Sequence, residues 1–109
     1  MARDRGLEEL LNDTLRSVAG LAQKSMFGGW AWLVNGNLVL GARSDGMLVR
    51  LGKDNETWAL KIAGTKPMMI GERRMVGWVR AAPEVYADDA VCRKLVEAAL
   101  EFNRSLPKK

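Results

Sequence analysis

The chain contains no histidine, and that absence removes more chemistry than any other feature of it. Imidazole is the side chain that titrates nearest neutral pH, the usual general base and the commonest metal ligand. Catalytic triads built on it are therefore excluded. The lone cysteine, Cys92, cannot close an internal disulfide, and without imidazoles one thiol cannot assemble a structural zinc site. No acidic loop with EF-hand spacing is present for calcium. The reading is thus of a chain with no catalytic residues, no metal and no cofactor. Apolar runs fall well short of the roughly 20 residues that cross a bilayer. The N-terminus, Met1 to Gly6, is charged rather than apolar, so neither a membrane partner nor a signal segment is expected. A single thiol fits a reducing, cytoplasmic setting. Proline is scarce too, at three, and no tract of low complexity marks a linker.

What is present suits one small domain over 1–109, with 48% hydrophobic and 28% charged residues. Domains of this size gain buried area by oligomerising, so a homodimer is a natural expectation. The net charge is +4, and its placement is uneven. Residues 1–42 carry four basic and four acidic side chains, and residues 81–109 carry five of each. The whole surplus falls in residues 43–80, with eight basic against four acidic. A basic middle between neutral ends fits an acidic partner, or plain solubility.

Leu7, Leu10, Leu11, Val18 and Leu21 recur near helical spacing, which predicts an amphipathic helix over 5–22. The period then changes. Residues 24–34 read as a strand that ends at Asn35-Gly36, the dipeptide a type I′ turn favours because both central positions need φ > 0. A return strand over 37–43 and a second turn at Asp45-Gly46 lead to a third strand over 47–51. Asp54 to Ala63 suits a short helix with Asp54 as cap and Gly64 beyond its end. Two further strands, 68–70 and 74–80, flank the turn at Gly71-Glu72-Arg73, and a final helix follows Pro83 with Asp88 or Asp89 as cap. The expected fold is α+β and two-layered, an antiparallel sheet of about five strands with helices on one face. Its element order is helix, three strands, short helix, two strands, helix.

If Asn35-Gly36 is a simple two-residue loop, Trp32 pairs with Val39 and Trp30 with Gly41. Phe27, Ala31, Leu33, Leu38, Leu40 and Ala42 then share a wholly apolar face for the helices. The other face holds Trp30, Trp32, Arg43 and Arg50, a candidate contact surface, because aromatics and arginine are enriched at interface centres. The alternative is that a terminal segment or the short helix folds across these residues.

Other features have plainer readings. Cys92 lies beside Val91, Leu95 and Val96 and reads as a buried small hydrophobe. Gly28-Gly29 lacks the pattern of a phosphate loop and reads as a bulge or a close helix approach. Asp88-Asp89 reads as a helix cap. Met26, Met47, Met68, Met69 and Met75 read as core filling in strands, and Trp58 and Trp78 as core or lip residues.

The succession Lys24-Ser25-Met26-Phe27-Gly28-Gly29, Asn35-Gly36, Arg50-Leu51-Gly52, Met75-Val76-Gly77-Trp78-Val79 and Ser105-Leu106-Pro107-Lys108 resembles the TfoX/Sxy N-terminal domain family of bacterial proteins, named after a competence regulator. Two positions depart from its pattern, with Ala31 where a third glycine is frequent and Leu33 where an aromatic is. The resemblance implies a two-layer α+β fold with an antiparallel sheet, no catalytic residues and no cofactor. The expected function is a non-enzymatic regulatory module acting through protein–protein contact. The alternatives are a single-stranded nucleic-acid-binding domain, using stacked aromatics beside arginines, and a small-ligand sensor.

Overall fold

Leu7, Leu11 and Leu15 fall on one stripe of the first helix, α1 (Arg5–Leu15), and all three are buried. The structure, a computed structural model, describes residues 5–26, 29–43 and 46–107. The elements that follow α1 are β1 (Leu21–Met26), β2 (Gly29–Val34), β3 (Asn37–Arg43), β4 (Gly46–Arg50), α2 (Thr57–Leu60), β5 (Thr65–Ile70), β6 (Arg73–Ala81), α3 (Pro83–Tyr86) and α4 (Asp89–Arg104). The strands form one antiparallel sheet of six in the order β1-β2-β3-β4-β6-β5. Leu7, Leu11 and Leu15 of α1, Ala59 of α2, Val85 of α3, and Leu95, Val96 and Ala99 of α4 bury one face of that sheet in a continuous core. No helix among the described residues is long and apolar enough to cross a membrane.

The α+β class and the element order follow the expectation, with one more strand and one more short helix, α3. The first helix stops at Leu15 instead of residue 22, and Gly20 takes a left-handed φ of 80° before β1 begins. The stretch read as a single strand over 24–34 divides into β1 and β2, paired antiparallel with Met26 opposite Gly29. Phe27 and Gly28 lie outside the described residues, as do Ser44 and Asp45 of the second turn, whose flanks Arg43 and Gly46 pair.

Local chemistry sets several boundaries. Asn35 (φ 54°) and Gly36 (φ 83°) both take positive φ, and Val34 pairs with Asn37. Asp88 caps α4, its carboxylate accepting from the backbone N–H groups of Ala90 (3.1 Å) and Val91 (3.2 Å). The short helix is only Thr57–Leu60, and its N-cap is Glu56 rather than Asp54. Below it, the Thr65 hydroxyl lies 2.6 Å from the carbonyl oxygen of Ala59 and 2.8 Å from that of Ile62, fixing α2 to β5.

The register overturns the expected division of the sheet faces. Trp32 pairs with Leu40 and Leu33 with Leu38, so β3 carries one extra residue, Val39, at a bulge. One inserted residue reverses which side chains face the helices. Trp30, Trp32, Val34, Leu40 and Ala42 consequently belong to the helix-covered core, whereas Leu38 packs on the far side of the sheet. The far face has a small core of its own, in which Leu48, Met68 and Trp78 are buried with Leu38 and Met75 against them.

Candidate contact surface

The four residues expected to share an open face do not come together. Trp32 is fully buried, and its indole N–H donates to Asn12 Oδ1 of α1 at 2.8 Å. Trp30 is half-buried against the same core, its indole N–H donating to Gln23 Oε1 at 2.7 Å. Both tryptophans face the helices because Val39 shifts the register, which corrects the expected placement. Arg43 stays on the far face, where with Leu48, Pro67, Met68, Met69 and Arg80 it lines a small cleft of about 110 Å³. Arg50 leaves that group, its guanidinium donating to the Leu38 carbonyl at 3.4 Å and lying 5.4 Å from the centre of the Phe102 ring.

Exposed apolar surface gathers elsewhere, on the β5–β6 hairpin. Met69 (46% exposed), Ile70 (48%) and Val76 (58%) are the large hydrophobic side chains left most open among the described residues. Gly71 makes the turn with a φ of 61°, and nothing stands within 4 Å of where its side chain would project. Below the turn the two strands fall out of step. Pro67 pairs with Val79 and Met69 with Arg74, so Met68 alone stands opposite the stretch from Met75 to Trp78. Gly77, at φ 88°, absorbs the surplus. The break sends Met68, Met75 and Trp78 to the far-face core and leaves Val76 in solvent.

Glu56 holds that irregular strand. One carboxylate oxygen accepts from the Gly77 backbone N–H at 2.9 Å, and the other meets the Arg74 guanidinium at 2.5 Å. Lys66 and Arg73 are exposed on the same hairpin. Residues 65–81 carry Lys66, Arg73, Arg74 and Arg80 against the single acid Glu72, so much of the basic surplus of the sequence falls along this hairpin. Sequence reasoning placed Met69 in the core. The run Pro67-Met68-Met69-Ile70 abutting a Gly-Glu turn lacks the polar alternation of a half-buried strand, and that was the available signal.

The other chemical candidates sit in structural positions. Cys92 is buried in the core face of α4, and its thiol is pushed above the ordinary range, first by burial and then by the nearby Asp89 carboxylate. Among the described residues no group of three or more His, Cys, Asp or Glu side chains stands close enough to hold a metal ion. Trp58 is half-buried, bonded through its indole N–H to Asn55 Oδ1 at 3.1 Å, with the Lys94 ammonium 4.9 Å from the ring centre.

The motifs that carried the resemblance meet in this fold, for Arg50-Leu51-Gly52 lies directly against Gly77-Trp78. The backbone N–H groups of Leu51 (2.8 Å) and Gly52 (3.1 Å) both donate to the Gly77 carbonyl, and Arg50 pairs with Trp78. No curated protein and no solved structure matches the chain. The family model of the TfoX N-terminal domain matches residues 13–103, from the last residues of α1 into the last turn of α4, and the chain belongs to that competence-regulator-like family.

Proposed function

We propose that this domain is a non-enzymatic regulatory module of the cytoplasm that acts through protein–protein contact, with the β5–β6 hairpin as its contact surface. One observation carries the reading. Met69, Ile70 and Val76 leave about half their surface open on one hairpin, and they do so beside Lys66 and Arg73. Large hydrophobic side chains left open on one short element beside charged ones are the make-up of an interaction site. Methionine suits such a site because its unbranched chain repacks against different partners. A second copy of the chain is the simplest partner, and an acidic protein surface is the other the charge favours.

Sedimentation across a range of concentrations tests the reading, on the parent and on Ile70→Asp. The expected result is a reversible dimer that the variant loses while its circular dichroism stays the same. A monomeric parent, joined to a regulatory phenotype that Ile70→Asp leaves unchanged, overturns the proposal. The nucleic-acid reading rests on the same basic surplus, but among the described residues Trp32 and Trp78 are buried and offer no face for bases to stack on. Binding of single-stranded DNA that falls steeply with salt, and that Arg73→Glu abolishes, would favour it instead.

A further inference from the structure

None of the six strands contains an aspartate or a glutamate, whereas lysine or arginine occurs in every strand but β2. The carboxylates of the described residues all belong to helices, turns and loops. The helices cover one face of the sheet, so the charge of the far face is set largely by the strands, and it is positive. Leu48, buried in the far-face core, pairs with Arg80, and Arg80 pairs with Lys66, so both cations project from that face. Like charges directly opposite one another destabilise a sheet, and the register puts Lys66 and Arg80 in that relation. Arg43 joins them from β3. It stands opposite Gly46, and the stem of Arg80 passes 3.2 Å from the point where a Gly46 side chain would begin. Nothing therefore branches from the backbone between the two arginines. Glu84 of α3 lines a neighbouring hollow with Lys66 and Arg80, one carboxylate against three cations.

The cleft that Arg43 and Arg80 line is otherwise apolar, with Leu48, Pro67 and Met68, and it reaches Met69 of the exposed tip. Among the described residues no carboxylate lines it. At about 110 Å³ it is well below the roughly 300 Å³ at which small-molecule sites begin, so its size suits a single side chain rather than a metabolite. An anchor side chain seated in a pocket is a common centre of protein contacts. Addition of a strand at this edge is disfavoured, because Pro67, inside the edge strand β5, has no N–H to donate. A partner therefore lies across the face instead of extending the sheet.

We infer that this cleft takes one aliphatic side chain of an acidic protein segment, whose flanking carboxylates meet Arg43, Arg80 and Lys66. The inference rests on the reading of the hairpin as a contact surface and gives that surface its partner. A guanidinium presents its N–H groups in a fork that matches a carboxylate, so two arginines beside one apolar cleft select acid next to aliphatic. Met69 carries the contact from the cleft to the exposed tip.

Three capped pentapeptides serve as probes. The first has a central leucine between two pairs of glutamates, the second has glutamines in place of the glutamates, and the third keeps the glutamates around a central alanine. In NMR titrations of the intact protein the first should shift the Leu48, Met68 and Met69 methyl signals in a saturable way. The glutamine peptide should bind about ten-fold more weakly, the worth of three exposed charge pairs together. The alanine peptide should also bind about ten-fold more weakly, through the lost anchor. In Arg43→Gln/Arg80→Gln the glutamate and glutamine peptides should bind within about two-fold of each other, the remainder being the single charge pair of Lys66. Absence of saturable shifts at those methyls, equal binding of any two of the peptides with a changed side chain by the parent, or full discrimination kept by the double variant would each overturn the inference. Stronger shifts of the same methyls by a single-stranded oligothymidylate would also overturn it and assign the face to nucleic acid. If the double variant does not fold, Lys66→Gln at its exposed site takes its place, weakening the glutamate peptide about two-fold and leaving the glutamine peptide unchanged. No change in that variant overturns the inference. Peptides that fail to bind, beside an association that Ile70→Asp still abolishes, would sink this inference alone and leave the hairpin with a second copy as its partner.

Discussion

Gly77 and Gly52 meet backbone to backbone where β6 crosses the end of β4. A methyl group on Gly77 would stand 3.0 Å from the carbonyl carbon of Gly52 and 3.0 Å from the backbone nitrogen of Lys53. Those neighbours are main chain, so they cannot swing aside, and the φ of 88° at Gly77 is itself strained for an L residue. Gly77→Ala should therefore destabilise by about 2–4 kcal/mol, strain and clash together. Gly71→Ala is the control, since φ is positive there too but no atom stands within 4 Å. It should cost only about 1 kcal/mol. Urea denaturation of both variants checks the ratio, and equal losses would show that strain alone governs Gly77.

Trp32 is held by packing first and by its hydrogen bond second. It is fully buried in the helix-covered core, and its partner Asn12 is exposed. Removing Asn12 leaves the indole N–H to find water at the edge of the core, whereas removing the indole leaves a cavity. Asn12→Ala should cost about 0.5–1.5 kcal/mol, the net worth of a hydrogen bond. Trp32→Ala should cost about 3–5 kcal/mol. Because Trp32 has no exposed surface, Trp32→Phe should leave any association unchanged while lowering the thermal midpoint.

The contrast between what the residues disclosed and what they hid has a physical basis. The Asn35-Gly36 turn and the Asp88 cap were legible because each depends on a few adjacent residues, through positive φ in one case and a short side-chain acceptor in the other. The faces of β2 and β3 were not legible. They turn on Val39, one inserted residue whose position no local pattern announces, and a single-residue slip moves every later side chain to the opposite face. The candidate surface failed for the same reason, since Trp30 and Trp32 were assigned by counting from the turn through an unbroken ladder. The end of α1 was misread because Val18 and Leu21 continue the apolar spacing and do pack on the core, but from a turn and a strand. The break between Met68 and Met75–Trp78, which produces the exposed tip, is fixed by Glu56 reaching Gly77 from a distant loop.

Cys92 gives a prediction with a definite sign. Burial and Asp89 raise its thiol pKa in the folded chain above the ordinary value, so the native state holds the proton where the unfolded chain has lost it. The corresponding stability is fully present below the ordinary thiol pKa of about 8.5 and is lost as pH rises toward the raised folded value. Cys92→Ala should remove this alkaline decline while costing roughly 1 kcal/mol at neutral pH. Thiol reagents should label the native parent slowly at pH 7, and rapid labelling would contradict the buried placement.

The hairpin should separate stability from association. Ile70 and Val76 each leave about half their surface in solvent and lie outside both hydrophobic cores. Replacing them with serine removes little buried area, so the double variant Ile70→Ser/Val76→Ser should stay within about 0.5 kcal/mol of the parent in urea, as exposed substitutions do. Met75→Ser, two residues from the tip but packed against Leu48, Met68 and Trp78, should instead destabilise measurably. If the hairpin is a contact surface, the double variant weakens association with its fold intact, because the apolar area it removes is buried only in the complex. A loss of stability in the double variant as large as that in Met75→Ser would mean that the tip packs within the chain itself. The contact reading would then lose the exposure on which it stands.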